Sequence, residues 1–304
     1  MEASLILLKQ LITMFIFMGV GFALYKGKLV TAKGSSELSN LLLYIILPGV
    51  ILNSYLIEKT PQRVHGLWLS FVLSAALLVI SMIISMLIYG KKNPVANIGV
   101  AFSNCGFMGI PLVRTVMGDE AVFYCSAFVA ILLFLQWTYG VFVMTGDKSA
   151  ISAKKIIKNP VVIATVIGVV LFFLQIPLPS VVTGALNSIG ALNGPIAMII
   201  LGIYLAQTKI LDIFKEKKIY ISCAIRLVLI PIVSLLFLML LPASLQEMKL
   251  TLIISASAPI GANVAIFAQM VGLSYTNAVK YVCLSTILSI ISMPLILMLA
   301  QQLV

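Results

Sequence analysis

Two apolar stretches of this sequence each contain asparagine, glycine and proline close together. The first reads SNCGFMGIPL at residues 103–112, and the second reads APIGAN at residues 258–263. Proline lacks a backbone N–H group, and glycine adopts backbone conformations that a helix does not use. Each stretch therefore predicts a helix that stops and restarts. Asn263 is placed to cap a helix restarting at Val264, and Pro111 suits the first turn of the other restarted helix.

Helices that restart in this way have a defined chemistry at their N-termini. The first N–H groups have no partner within the helix, and the helix dipole places partial positive charge there. Two such ends side by side suit a carboxylate or a similar anion. The alternative is that each stretch merely kinks a helix or lets two helices approach closely. We predict binding of a small organic anion by the following set: Asn104, Cys105, Gly106, Gly109, Pro111, Pro259, Gly261 and Asn263.

The composition places both stretches in a lipid bilayer. Apolar residues make up 62% of the chain and charged residues 10%, with a mean hydropathy of +1.17, and these values lie outside the range of soluble proteins. About 20 apolar residues cross about 30 Å of hydrocarbon as a helix. We predict an all-α integral membrane protein with ten transmembrane helices, the fourth and ninth being interrupted. The predicted spans are residues 4–25, 38–57, 67–89, 95–118, 121–144, 160–175, 184–207, 219–241, 247–272 and 274–300.

Ten spans divide into five and five at the longest polar connection, residues 145–159. An odd number of spans in each half inverts the second half, so we predict two inverted five-helix repeats, residues 1–150 and 151–304. Inverted repeats give secondary transporters two related conformations, one open to each side of the membrane. An offset of 147 residues superposes Gly21 on Gly168, Asn40 on Asn187 and Pro48 on Pro195.

The distribution of basic residues predicts the orientation. Loops after odd-numbered spans contain fourteen lysines, Lys209 among them, whereas the other loops and the termini contain five lysines and arginines. Short loops rich in these residues stay in the cytoplasm, so we predict a multi-pass protein of the cell membrane with both termini extracytoplasmic. This topology and attraction to anionic lipid account for the net charge of +11 without a nucleic-acid partner.

Acidic residues are missing from the interior of the predicted spans. All nine, Asp212 included, fall in loops or at helix ends. Proton and cation exchangers usually carry an ionisable residue inside the membrane, so such an exchanger is disfavoured, although backbone carbonyls at the interruptions leave sodium coupling open. For the intramembrane Arg226, snorkelling to the interface is the favoured interpretation, and a role in anion entry or a helix contact is the alternative. Arg114 either pairs with Asp119 or Glu120 through the following loop or is solvated, and solvation is the preferred interpretation.

Motifs for other functions are missing from the sequence. No serine, aspartate or zinc motif of a membrane protease is present, so we predict that the protein is not an enzyme. The four cysteines have no metal-ligand spacing, and we predict neither a metal site nor a cofactor. A sensor built on a transporter fold is harder to exclude.

The segments LYIILPGVILNSYL (43–56), NCGFMGIPL (104–112) and APIGANVAIFAQMVG (258–272) resemble those of the auxin efflux carrier family. This resemblance covers the whole chain. The family includes plant PIN-type exporters and bacterial malate and malonate permease-like proteins, and it is more distantly similar to the bile acid sodium symporter fold. The resemblance implies a scaffold part, a transport part in which spans four and nine cross at the substrate site, and a homodimer. It implies crossover roles for Asn104, Pro111, Pro259 and Asn263. Separately from the resemblance, we predict helix-break or repeat-related roles for Pro48, Asn193 and Pro195.

We therefore predict a secondary carrier for small organic anions such as carboxylates, working by alternating access around the crossing of spans four and nine. An inside-negative potential favours outward movement of an anion, so export needs no coupling ion, whereas import needs Na⁺, H⁺ or an exchange partner. The expected partners are the anion, the lipid bilayer and, where coupling exists, one of these cations. A sodium-coupled organic-anion symporter of the bile acid type and a non-transporting membrane sensor are the alternatives.

Overall fold

The computed structural model describes residues 2–208, 213–270 and 272–304, so the predictions made for Lys209 and Asp212 lie outside the described residues. Within these ranges every regular element is helical. The main helices are α1 (Glu2–Lys26), α2 (Ala32–Ser54), α3 (Pro61–Tyr89), α4 (Pro94–Ala101), α5 (Cys105–Met117), α6 (Asp119–Thr145), α7 (Pro160–Leu174), α8 (Ser180–Ala206), α9 (Lys217–Met239), α10 (Gln246–Ser257), α11 (Asn263–Met270) and α12 (Tyr275–Leu303).

Seven of the described helices are long and apolar enough to cross a membrane, namely α1, α2, α3, α6, α8, α9 and α12. An eighth candidate joins α7 to the preceding segment Lys148–Ile157 through a bend of 46°. The structure is therefore that of an all-α, multi-pass membrane protein. Predicted spans four and nine correspond to the pairs α4–α5 and α10–α11, and each of these four helices is too short to cross a bilayer alone.

Small residues bring two pairs of helices into close contact. A Cβ atom added at Gly21 of α1 would lie 2.0 Å from the carbonyl oxygen of Ile199, and one at Gly202 of α8 would lie 1.9 Å from that of Met18. The backbones of α1 and α8 therefore touch, as is common where glycines face each other in membrane helices. Gly168 of α7 similarly receives the ring of Tyr55 from the end of α2.

Three prolines follow a wide π-helical turn instead of ending a helix. Pro48 follows the turn Leu42–Ile46, Pro111 follows the turn Cys105–Gly109, and Pro231 follows the turn Ile225–Leu229. A wide turn accommodates the ring and the missing N–H of a proline within a continuing helix. The predicted helix break at Pro48 is thus absent, because α2 continues through it. The helical hydrogen bonding of α8 is interrupted at Leu192, three residues before Pro195.

Candidate functional site

The two predicted interruptions are present, and they contact each other. Ser103 and Ile260 form an antiparallel bridge between the chain segments that follow α4 and α10. The Asn104 N–H donates to the Pro259 carbonyl at 2.7 Å, and the Gly261 N–H donates to the Phe102 carbonyl at 3.2 Å. Backbone groups freed by a broken membrane helix are costly unless they find partners. Here each interruption supplies partners for the other.

Close packing at this crossing explains the glycine of the second interruption. A Cβ atom at Gly261 would lie 3.2 Å from the carbonyl oxygen of Ser103, so a larger side chain would push the two segments apart. The Ile260 N–H is held from α12, where the hydroxyl oxygen of Ser285 accepts it at 3.0 Å. The geometry of the crossing is therefore fixed by the pairs α4–α5 and α10–α11 and by the contact to α12.

Helices α5 and α11 restart at the crossing. Because the bridge is antiparallel, the two helices leave the crossing in opposite directions, and their N-terminal ends lie close together. The first N–H groups of each helix have no intrahelical acceptor, and each end carries partial positive charge. Pro111 lies in the first turn of the α-helical segment Ile110–Met117, as predicted. A π-helical turn over Cys105–Gly109 precedes this segment, so α5 as a whole begins at Cys105.

The predicted cap at Asn263 is wrong. Helix α11 begins at Asn263 itself, and the side chain turns away from the helix end. Its Nδ2 donates to Oε1 of Gln136, a fully buried residue of α6, at 3.1 Å. The sequence gives Gln136 no role on its own, although a buried amide in the middle of an apolar span is a signal for a functional polar group.

Three side-chain amides at the crossing keep unpartnered polar atoms. Asn104 is 3% exposed, and its Nδ2 has no hydrogen-bond acceptor among the described residues. Nε2 of Gln136 and Oδ1 of Asn263 also lack partners. Whichever way the Gln136 and Asn263 amides are oriented, this pair offers one free N–H donor group and one free oxygen acceptor. Buried polar groups without partners cost about 1–3 kcal/mol each, so a site with several of them is suited to a polar ligand.

A fourth amide comes from α8. Asn193, at the interruption of α8, donates from Nδ2 to the Gly106 carbonyl at 2.9 Å. In a π turn a carbonyl accepts from the residue five positions later, and for Gly106 that residue is Pro111, which has no N–H. Asn193 therefore satisfies the acceptor that the proline leaves free, and this contact gives the predicted repeat-related Asn193 a structural role at the crossing.

The predicted site residues do not all face the same space. A small cavity of about 20 Å³ lies at the crossing and has room for about one water molecule. Cys105 is packed with its Sγ 3.6 Å from that of Cys125, and Gly109 lies directly behind it, since an added Cβ would be 3.0 Å from the Cys105 Sγ. The cavity is lined by Leu47, Ser103, Asn104, Gly106, Phe107, Val129, Leu132, Leu133, Gly261 and Asn263.

Larger cavities lie on each side of the crossing. One, of about 80 Å³, is bounded by Asn263 and by residues of α2, α6 and the start of α7, including Trp137 and Asn159. The other, of about 290 Å³, is bounded by α1, α5 and the interruption of α8, including Pro111 and Asn193. The narrow crossing therefore separates two wider spaces, one along α11 and one along α5.

A basic residue lies beside the second of these cavities. Arg114 of α5 lines it, and its Nε lies 2.7 Å from Oδ1 of Asp119 at the start of α6. Of the two predicted alternatives for Arg114, the structure therefore has the pairing with Asp119 and not the preferred solvation. The carboxylate holds the guanidinium at the rim of the cavity.

The charges around the crossing favour an anion over a cation. None of the residues lining the crossing cavity is acidic. The acidic residues with described positions lie in loops or within the first two turns of a helix. Within the described ranges, no cluster of histidine, cysteine, aspartate and glutamate has the arrangement of a metal site. The crossing offers amide donors and two helix N-termini, and it offers no carboxylate to a cation.

The sequence model of a family described as membrane transport protein matches residues 6–297, which include both interruptions and every residue of the crossing. No curated protein matches the chain.

Proposed function

The chain belongs to the auxin efflux carrier family of membrane transport proteins, and from this premise we propose that it is a secondary carrier that exports small organic anions such as carboxylates. The observation that carries the proposal is the crossing of two interrupted helices, where amide donors without partners lie beside two helix N-termini. A carboxylate there would accept the hydrogen bonds that the buried amides now lack.

The hydrogen-bonding inventory supports an anionic substrate. Nδ2 of Asn104 is a free donor, and the Gln136–Asn263 pair offers a second. A hydrogen bond to a charged group contributes about 1.5–3 kcal/mol, and the positive end of a helix dipole adds about 0.3–1 kcal/mol. Two such donors and two helix ends together contribute about 4–8 kcal/mol, which offsets part or all of the several kcal/mol that dehydrating an ion costs inside a protein.

The packing of the helices supports ten spans arranged as two inverted repeats. Helix α1 packs on α8, and α7 packs on α2. Helices α1, α2, α7 and α8 are spans 1, 2, 6 and 7. If each span is exchanged for its counterpart five spans away, the contact between spans 1 and 7 becomes the contact between spans 6 and 2. The contact of α6 with α10 is related in the same way to that of α12 with α4. The proposed halves are residues 1–150 and 151–304, and a structure built from related halves is suited to alternate between two states.

The cavities beside the crossing support alternating access. By the distribution of lysines, the connection that contains Asn159 lies on the cytoplasmic side and the end of α5 near Arg114 lies outside. The cavity at Asn263 and Asn159 would then lead toward the cytoplasm, and the cavity at Pro111 and Arg114 would lead outward. The crossing between them admits about one water, so the substrate reaches the other side when the helices around it move.

The membrane potential supports export. It contributes about 2.3 kcal/mol per elementary charge per 100 mV, which is about fiftyfold at about 1.4 kcal/mol per decade. A monovalent anion is driven outward by an inside-negative potential without any coupling ion. Steady uphill uptake of an anion in the absence of a cation gradient would contradict this direction.

Thermal stability of the detergent-purified protein tests the substrate class before any transport assay. We expect mono- and dicarboxylates, malate and malonate included, to raise the melting temperature, because a ligand at 100 times its Kd stabilises by about 2.7 kcal/mol. The matched controls are the corresponding neutral amides and cationic amines, which share the carbon skeletons. Stabilisation by the amides or amines, with none by the acids, would contradict an anion site.

A further inference from the structure

Arg226 of α9 is buried and does not reach the membrane interface. Arg226 is 1% exposed, and it lies within the wide turn Ile225–Leu229. The favoured sequence interpretation, snorkelling to the interface, is therefore wrong. The alternative of a helix contact agrees with the position of the guanidinium, which does not line the crossing cavity.

The guanidinium of Arg226 binds the carboxyl ends of both interrupted helices. Nη1 donates to the carbonyl of Val100, in the last turn of α4, at 3.1 Å. Nη2 donates to the carbonyl of Ala256, in the last turn of α10. Nε donates to the carbonyl of Ala258, just beyond α10, at 3.1 Å. The final carbonyls of a helix have no intrahelical donor and carry the negative end of the helix dipole. One side chain therefore serves both helices.

No carboxylate of the described residues is paired with this guanidinium. Among the ion pairs in the described part of the chain, none includes Arg226. A buried charge is costly unless it is paired and hydrogen-bonded, so the three carbonyl dipoles must replace an anionic partner. Carbonyl oxygens at the C-terminal ends of broken transmembrane helices are also the groups that bind Na⁺ in secondary transporters.

We propose that Arg226 is a permanent internal cation that joins the carboxyl ends of α4 and α10 and occupies the carbonyl cluster at which a coupling metal cation would otherwise bind. Arginine suits this role because its planar group directs several donors at fixed angles. The claim that Arg226 joins the two helix ends and stabilises the protein depends on its contacts alone. The claim that Arg226 replaces a coupling cation rests on the proposed function, and it states that wild-type transport is independent of Na⁺.

Chemical rescue of Arg226→Ala tests the cation site without any substrate. We expect this variant to melt at a lower temperature than the wild type. Guanidinium chloride, added far below the molar range in which it denatures proteins, should raise that melting temperature. Urea has a similar donor geometry without charge, and tetramethylammonium has charge without donors. Neither should raise the melting temperature of Arg226→Ala. Rescue by urea to the same extent, or no effect of guanidinium, would overturn the proposal.

Lys249→Ala is the matched control variant. Lys249 is also a buried cation of α10, 2% exposed, and its Nζ donates to the Leu241 carbonyl at 2.7 Å. Guanidinium should not stabilise this variant, because an ammonium site on one carbonyl does not fit the planar ion. Equal stabilisation of both variants would show a general salt effect and overturn the proposal. If Arg226→Ala does not fold, Arg226→Lys, which keeps the charge and loses the fork, is compared with the wild type by melting temperature alone. It should melt at a lower temperature, and an unchanged melting temperature would overturn the proposal.

Transport separates this inference from the proposed function. In proteoliposomes, Arg226→Ala should carry carboxylates at least about tenfold more slowly than the wild type, because the carbonyls of Val100, Ala256 and Ala258 at the crossing lose their donor. Guanidinium should restore part of the rate. Wild-type transport that requires Na⁺ would overturn the coupling part. If the wild type carries no carboxylate while guanidinium still stabilises Arg226→Ala, the proposed function fails and the cation site stands.

Discussion

Replacing Asn104 with aspartate should abolish carboxylate transport while leaving a folded, inserted protein. The Asn104 side chain is buried at the crossing and its Nδ2 has no partner. Aspartate has nearly the same shape, but it removes this donor and places a negative charge where the substrate charge would lie. We expect a loss of at least about 100-fold, or about 2.7 kcal/mol, in the initial rate of labelled carboxylate flux from proteoliposomes of equal protein content.

Two further variants define the cause of that loss. Asn104→Ala removes the donor without adding charge, and we expect an intermediate loss of about tenfold to 100-fold from one hydrogen bond to a charged group. Asn40→Ala is the control, because Asn40 is an exposed asparagine of α2 away from the crossing, and its rate should equal that of the wild type. Wild-type transport by Asn104→Asp would show that the carboxylate does not bind at the crossing.

Replacing Gly261 with valine should separate the two interrupted helices. An added Cβ would already lie 3.2 Å from the Ser103 carbonyl, and the branched side chain leaves no conformation that avoids it. The hydrogen bonds from Asn104 to Pro259 and from Gly261 to Phe102 would open. Each buried backbone group left unpaired costs about 1–3 kcal/mol, so we expect transport to fall by at least about 100-fold and the melting temperature to drop.

Gly184→Val is the matched control for this change. Gly184 lies in α8, and an added Cβ meets no atom within 4 Å. We expect its melting temperature and transport rate to remain close to those of the wild type. Equal behaviour of the two valine variants would mean that the contact at Gly261 does not determine the geometry of the crossing.

The interruptions themselves could be predicted from the sequence, because they depend on local backbone chemistry. Proline removes an N–H and glycine tolerates close approach, and both effects act on the residues where they occur. The predicted interruptions at residues 103–112 and 258–263 therefore match the ends of α4 and α10. Hydropathy located the long helices for a similar reason, since the length of an apolar run alone sets whether it can cross a bilayer.

The partners of the polar side chains could not be predicted in this way. Asn263 was expected to cap its own helix, whereas it donates to Gln136 on α6. Arg226 was expected to reach the interface, whereas its charge is held by carbonyls 126 and 32 positions away along the chain. The partners of these side chains depend on which helices pack together, and no local sequence pattern records that packing.

The most direct test of anion transport is the current across proteoliposomes that contain the purified protein, measured with and without Na⁺. Mono- and dicarboxylates are applied in turn, with cationic and neutral solutes as controls. We predict a current of negative charge that is confined to particular acids and is unchanged by Na⁺. A sodium-dependent current of positive charge, or responses to cations or neutral solutes alone, would contradict the assignment of an anion site to the crossing of the two interrupted helices.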